Sequence, residues 1–585
     1  MADFPTGDEP KPARRQFLGA TAALAVGGSA AAAEPRAADG APDLSPLRER
    51  GGDLNQQLRR KTLKVRVDRA KANYDEPIAR HPTNGDEDRY PNKIGSDTRG
   101  LPHNTRGEVD LAAWGLLRQA IDTRQQADFE RVPLGGTRKL VNPLGTLAVN
   151  LEGISPPQIL IPPPPVLAGA ERAAEAVEAY WQSLLRDVPF HAYQADTQHP
   201  LVLAAAREID ALRGYTGPRD ANGRVTPPLL FRGTARYVDR SDRSGSTPRH
   251  VVPPGVLDGP YISQFLLRDI PYGPQFIAGQ LRPQKPGSDF LADPAEWLAN
   301  QDGKAATRRL EFDTQVRYLQ SGRDLAEYVR GGAPGFWGAL QLLSTARSSN
   351  PLVVGGFGAA LNPRNPYLTL KTSASAAASW GTGYIQGLLT TATSRNIRAN
   401  YWQKWFVQRT LRPEAFGGLV HQRLANGVSA YPLHADALGS EAIARSFAKF
   451  GTYLLSSAYP EGAPNHSSYP GGASSNAAVG ATILKAFFDE NHVIADPVQP
   501  DPSDPAKLIP YVGPPLTVGG ELNKLATNLG TGRNWAGIHW RSDAASSLPQ
   551  AEEVGIALLR DERFTFHEAF QGFRFTRFDG SVAEI

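Results

Sequence analysis

The sequence predicts an all-α protein of packed helical bundles, with long Pro/Gly-rich loops and at most a small hairpin. Three observations carry this reading. Several segments show the apolar spacing of helices, long Pro- and Gly-rich connections separate them, and period-two alternation is confined to short runs. In chain order, ERAAEAVEAYWQSLLRDV (171–188) places Ala173, Val177, Trp181, Leu184 and Val188 on one stripe of an amphipathic helix. NIRANYWQKWFVQRTLRP (396–413) reads as a helix stopped where Arg412 precedes Pro413, because the residue before proline disfavours helical backbone. SNAAVGATILKAFFD (475–489) repeats the stripe with Val479, Ile483 and Phe487. Between helices, the proline runs at 155–169 and 498–516 favour extended surface crossings, and 214–255 holds short alternating runs that predict the small hairpin.

Composition narrows the function classes. A chain of 585 residues, 41% hydrophobic and 21% charged, is long enough for a large core and more than one lobe. Its 63 basic and 59 acidic residues leave a net charge of only +4, so nucleic acid is not expected as a partner. With no cysteine there is no disulfide, thiolate site or cysteine nucleophile; no HExxH, full Walker A or dinucleotide glycine pattern occurs, and no metal site is expected. Near the N-terminus, Arg14–Arg15, then Phe17–Leu18, a weakly apolar run and small residues at 31–33 have the order of a twin-arginine export signal. A disordered Ala-rich leader on a cytoplasmic protein is the alternative. No later run is apolar enough to span a membrane, and none is expected as a partner. The expected division is signal and linker at 1–43 and one helical catalytic domain at 44–585.

Three segments carry anion-binding chemistry. Lys404 and Arg412, eight positions apart, read as two cations on one helix whose long side chains can close on a small oxyanion. SYPGGASSN (468–476) opens a helix with Gly471 and Gly472, offering free backbone N–H groups to an anion. In TGRNWAGIHWRSD (531–543), Arg533 and His539 lie six apart, and Asp543 follows His539 by four. If that stretch is helical, Asp543 can hold the His539 ring. Taken singly, a solvated helix face, a plain helix start and a core histidine explain these segments better.

In order and combination they resemble the three signature motifs of the vanadium-dependent haloperoxidases and their acid phosphatase relatives. GLPHNTRGEVD (100–110), GPYISQFLLRDIPYG (259–273), NPRNPY (362–367) and YWQKWFVQRTLRPEAFGG (401–418) extend the resemblance over most of the chain from about residue 44. It implies two helical bundles, often a homodimer. In such a site Lys404, Arg412 and Arg533 would grip equatorial oxygens of vanadate or phosphate, backbone N–H groups near Gly471 and Gly472 would complete the cage, and His539 would be the axial ligand.

The second family motif reads Ser-Gly-His, whereas this chain has Gly471, Gly472 and Ala473. The missing histidine is the proton-transfer group of peroxide activation, a kind of group that contributes about 10²–10⁴-fold. The departure is similar to a halogenation-independent branch in bacterial meroterpenoid pathways, of the napyradiomycin type. That likeness implies a non-redox isomerase shifting a prenyl or geranyl group in the α-hydroxyketone of a prenylated aromatic polyketide. The expected catalytic residues are His539 and Lys371, the latter otherwise an exposed loop lysine. No cofactor would be required, and phosphate, or phosphohistidine at His539, would stand in place of vanadate. A working haloperoxidase and a phosphatase-like phosphate-binding protein are the alternatives.

Overall fold

The computed structural model describes residues 52–239, 247–331, 335–350, 352–370 and 372–585. The leader and linker at 1–43 and Lys371 lie outside them. Residues 62–585 form one compact unit, while 52–61 begin a helix, Gly52–Asp75, in which no residue is buried. The protein is mostly helical. Its strands, among the described residues, form four two-stranded antiparallel ladders. The expected hairpin is β1 (Ala235–Val238) with β2 (Pro248–Val251), in the register Ala235 to Val251. The others pair β3 (Ile270–Tyr272) with β4 (Gln275–Ile277), β5 (Val498–Pro500) with β6 (Leu508–Pro510), and β7 (Arg574–Thr576) with β8 (Val582–Glu584). Strands of three residues are too short to declare themselves by alternation. No helix among the described residues is long and apolar enough to cross a membrane.

Six helices position the site: α1 (Ala170–Leu185), α2 (Thr382–Trp402), α3 (Pro413–Leu424), α4 (Gly472–Phe487), α5 (Val518–Trp535) and α6 (Arg541–Glu562). The stripe expected on α1 is only part of what it buries. Ala173, Val177 and Trp181 are inside, but so are Arg172, Glu175 and Glu178 on the face that reads as polar. Those charges are tolerated because each is paired: Arg172 meets Glu175 at 2.7 Å, and Glu178 bonds Arg541. Leu184 and Val188 stay half-exposed, and Val188 lies past the helix end. α4 is likewise buried nearly all round, packed against α2, α5 and α6.

The crossing of α4, α5 and α6 depends on small residues. A Cβ on Gly530 would stand 2.7 Å from the Cβ of Ser474 and 3.0 Å from that of Ala544, so backbones approach where any larger side chain would wedge them apart. Gly530→Val should therefore destabilise the protein by about 1–3 kcal/mol, the usual cost of overpacking. A lowered thermal midpoint by calorimetry is the check, and an unchanged midpoint contradicts the packing argument.

Candidate functional site

α2 runs to Trp402 and continues as a π-helical turn over Gln403–Gln408. Arg409 then adopts left-handed backbone with φ 31°, and Pro413 starts α3 at its first position. Lys404 and Arg412 are thus on two elements rather than one helix, with Arg412 capping α3. The residue before a proline leaves helical backbone, yet proline itself suits a helix's first turn. Pro413 is a start where the sequence suggested a stop.

Both cations are completely or almost completely buried, and backbone carbonyls hold them. Lys404 Nζ donates to the carbonyls of Ser467 and Ser468, each at 2.8 Å. Arg412 donates to the carbonyl of His466 at 3.0 and 3.2 Å and to that of Ile538 at 2.9 Å. Burial, with Arg412 beside it, pulls the Lys404 ammonium well below its ordinary range. Arg533, half-buried near the end of α5, donates to the carbonyl of Arg330 at 3.4 Å and lies 5.7 Å from the Tyr459 ring centre. Among the described residues none of these three cations meets a carboxylate in an ion pair. Buried Arg99, Arg172, Arg186, Arg323 and Arg541 each do.

His539 lies in the link between α5 and α6, so the stretch 531–543 is not one helix, and its contact with Asp543 survives that break. Asp543 stands in the first turn of α6 and accepts from His539 Nδ1 at 2.7 Å, from the Trp540 N–H at 2.9 Å and from the Ser468 hydroxyl. Arg412 Nη1 lies 3.0 Å from His539 Nε2, and a guanidinium can only donate, so Nε2 accepts and the proton sits on Nδ1. Burial and the nearby Arg412 charge lower the His539 pKa to about 3 despite Asp543. Burial pushes the Asp543 carboxyl up, but the bonds from His539, Ser468 and Trp540 outweigh it and hold the carboxyl below its usual value.

Gly471 caps α4, and its N–H donates to the Asp543 backbone carbonyl at 2.8 Å. The donor expected from Gly471 is therefore engaged elsewhere. Gly472 and Ala473 follow in the first turn, where N–H groups have no intrahelical acceptor, and both border the cavity. That cavity, about 240 Å³, is also lined by Lys404, Arg533 and His539. A larger cleft of about 650 Å³, lined by Phe190, Tyr193 and Tyr261 among others, contains none of these cations.

The structure adds His466, which sequence reasoning missed. It is buried, lines the same cavity, and its Nδ1 lies 3.0 Å from Arg412 Nη2. The same Nδ1 lies 2.9 Å from the Ser467 carbonyl, so this nitrogen stands between a donor and an acceptor. Burial, then Lys404 and Arg412, keep this imidazole neutral by drawing its pKa well down. A single histidine in NHSSYPGG has no spacing partner to mark it.

Residues 439–567 match the family model described as the VCPO second helical-bundle domain. A vanadium-dependent bromoperoxidase of Ascophyllum nodosum is 30% identical over 83% of this chain and 86% of its own length. The chain belongs to the vanadium-dependent haloperoxidase family. A second such bromoperoxidase, from Corallina pilulifera, is 28% identical over 88% of this chain and 94% of its own. Among solved structures, the homohexameric second vanadate-dependent bromoperoxidase of Ascophyllum nodosum superposes with a TM-score of 0.77 at 25% identity, covering 96% of this chain and 94% of that one. Its hexamer is a larger assembly than the homodimer expected from sequence.

These haloperoxidases overturn one expectation. The chain was expected to need no cofactor, with phosphate or phosphohistidine at His539 in vanadate's place. The relatives that span most of it are named for their dependence on vanadium. The residues present fit an oxyanion of that kind. Among the described residues none of the three cations is in a direct ion pair, two helix-start N–H groups border the cavity, and the His539 tautomer leaves Nε2 with its lone pair. On Gly472, a Cβ would meet only Asn400 Oδ1, at 3.9 Å.

Because His539 is held neutral, its nitrogen resonances in the anion-free protein should show the Nδ1–H tautomer unchanged as pH falls from about 8 to about 5, where an ordinary histidine titrates. Nitrogen-15 spectroscopy of labelled protein reads this directly. A midpoint near 6.5 for His539 contradicts the burial and Arg412 argument.

Proposed function

We propose that this cavity holds vanadate and that the protein is a haloperoxidase, oxidising halide with peroxide. The observation that carries the reading is that Lys404, Arg412 and Arg533, none of them in a direct ion pair among the described residues, stand beside a neutral, tautomer-fixed imidazole. Lys404, Arg412 and Arg533 would hold the oxygens, the N–H groups of Gly472 and Ala473 would add to them, and His539 Nε2 would ligate. Bound there, vanadate supplies a Lewis-acidic centre at which peroxide becomes reactive toward halide. For Nε2 to ligate, Arg412 must turn from His539 toward the anion, which exchanges one acceptor for another. Ala473 brings no acid or base to this cavity. His466 brings a buried imidazole to it and takes the proton-transfer role on this reading.

A second reading rests on Gly471 and Ala473 themselves. With neither a hydroxyl nor an imidazole at these positions, the scaffold would serve a non-redox α-hydroxyketone rearrangement of a prenylated aromatic polyketide in meroterpenoid antibiotic biosynthesis. A Cβ on Gly471 would lie 2.7 Å from Ser474 Oγ, so the local packing is adjusted to glycine. On that reading a bound oxyanion or His539 acts as base.

One pair of assays separates them. Given vanadate, peroxide and bromide, the protein should brominate an activated phenol, and His466→Ala should lower kcat by about 10²–10⁴-fold, the usual worth of an acid–base group. Absence of bromination, together with anaerobic, peroxide-independent rearrangement of a prenylated α-hydroxyketone, overturns the haloperoxidase reading and supports the second.

A further inference from the structure

Asn400 stands on α2 one turn before Lys404 and borders the same cavity. It is only 1% exposed. Its amide nitrogen Nδ2 donates to the Gly471 carbonyl at 3.1 Å and to the Ser475 hydroxyl oxygen at 3.3 Å. A carbonyl can only accept, so the amide cannot be turned over, and its oxygen is fixed on the opposite side. That oxygen, Oδ1, has no partner among the described residues. It faces the open side of Gly472, since a Cβ built there would meet Oδ1 at 3.9 Å and nothing closer. Of the other groups named for anion contact, Lys404, Arg412, Arg533 and the N–H groups of Gly472 and Ala473 are donors, and His539 Nε2 is the one other lone pair. Asn400 sets one fixed, buried acceptor among them.

We propose that Asn400 Oδ1 makes this site select oxyanions that carry a hydrogen, such as vanadate, phosphate and arsenate, over oxyanions of equal charge that carry none, such as sulfate. The inference rests on the oxyanion reading of the cavity given above. A hydroxyl of the bound anion donates to Oδ1 and satisfies it. A fully deprotonated anion instead turns a lone pair toward a lone pair, and the buried acceptor stays unmade. Asn400 is thus a specificity-determining residue, and it also anchors the start of α4 through Gly471 and Ser475.

Calorimetric titration of the vanadate-free protein with phosphate and with sulfate at about pH 8 isolates this effect, because both anions are then predominantly dianions and differ by one hydrogen. Phosphate should bind about 10- to 100-fold tighter than sulfate. Asn400→Leu should cut the phosphate preference by about 10-fold, leaving what His539 Nε2 provides, and an undiminished preference in a folded variant overturns the role of Asn400. Asn400→Asp, which keeps an acceptor but adds charge, should weaken both anions while preserving the preference, and loss of the preference there also overturns it. Equal affinities in the unaltered protein overturn the inference while leaving an oxyanion site. Binding of neither anion overturns the oxyanion reading, and the inference with it.

Discussion

Two buried cations in no direct ion pair among the described residues, Lys404 and Arg412, are the constraint around which the rest of the site is arranged. An ammonium and a guanidinium so deeply removed from water need dense polar company. The chain supplies it from backbone: three successive carbonyls of His466, Ser467 and Ser468, with that of Ile538. Those bonds pin the segment leading into α4 and the link between α5 and α6 to the same point. The helix start at Gly472 and the ring of His539 are placed as a consequence. Carbonyl dipoles solvate these charges at contact distance, while the carboxylates of Asp97, Glu414 and Asp543 offset them from further away.

Asp543 ties the arrangement together from beneath. One carboxylate oxygen orients His539, holds the Ser468 hydroxyl and caps α6, while the Asp543 backbone carbonyl takes the N–H of Gly471. The same residue therefore fixes the imidazole tautomer and the approach of α4. What the cavity lacks, relative to the family motif, is reactive side chains at 471 and 473. What it retains in their vicinity is His466 and Asn400, an imidazole and a fixed acceptor.

Much of this was legible in the sequence, and the limits are physical. Lys404, Arg412, Arg533, His539 and the pair of glycines carry their chemistry in residue type and order, so their segments can be recognised without knowing the path between them. The path itself was harder to read. The π turn over 403–408 and the left-handed Arg409 leave no periodic trace, and Pro413 favours a helix's first turn as strongly as it forbids its interior. α1 reads as amphipathic because buried Arg172, Glu175 and Glu178 look like a solvated face until their partners are seen. His466 and Asn400 are lone polar residues, and only convergence in space distinguishes them from any others. The cofactor expectation failed because two substitutions in one motif outweighed the retained donor set.

The central claim is that this cluster of cations exists to hold an oxyanion against His539. A crystal structure of the protein grown with orthovanadate, with anomalous maps collected at the vanadium absorption edge, tests it most directly. The account predicts one anomalous peak in the cavity, within bonding distance of His539 Nε2, with Arg412 turned from the imidazole toward the anion. No peak there, with Arg412 still bonded to His539, would contradict it.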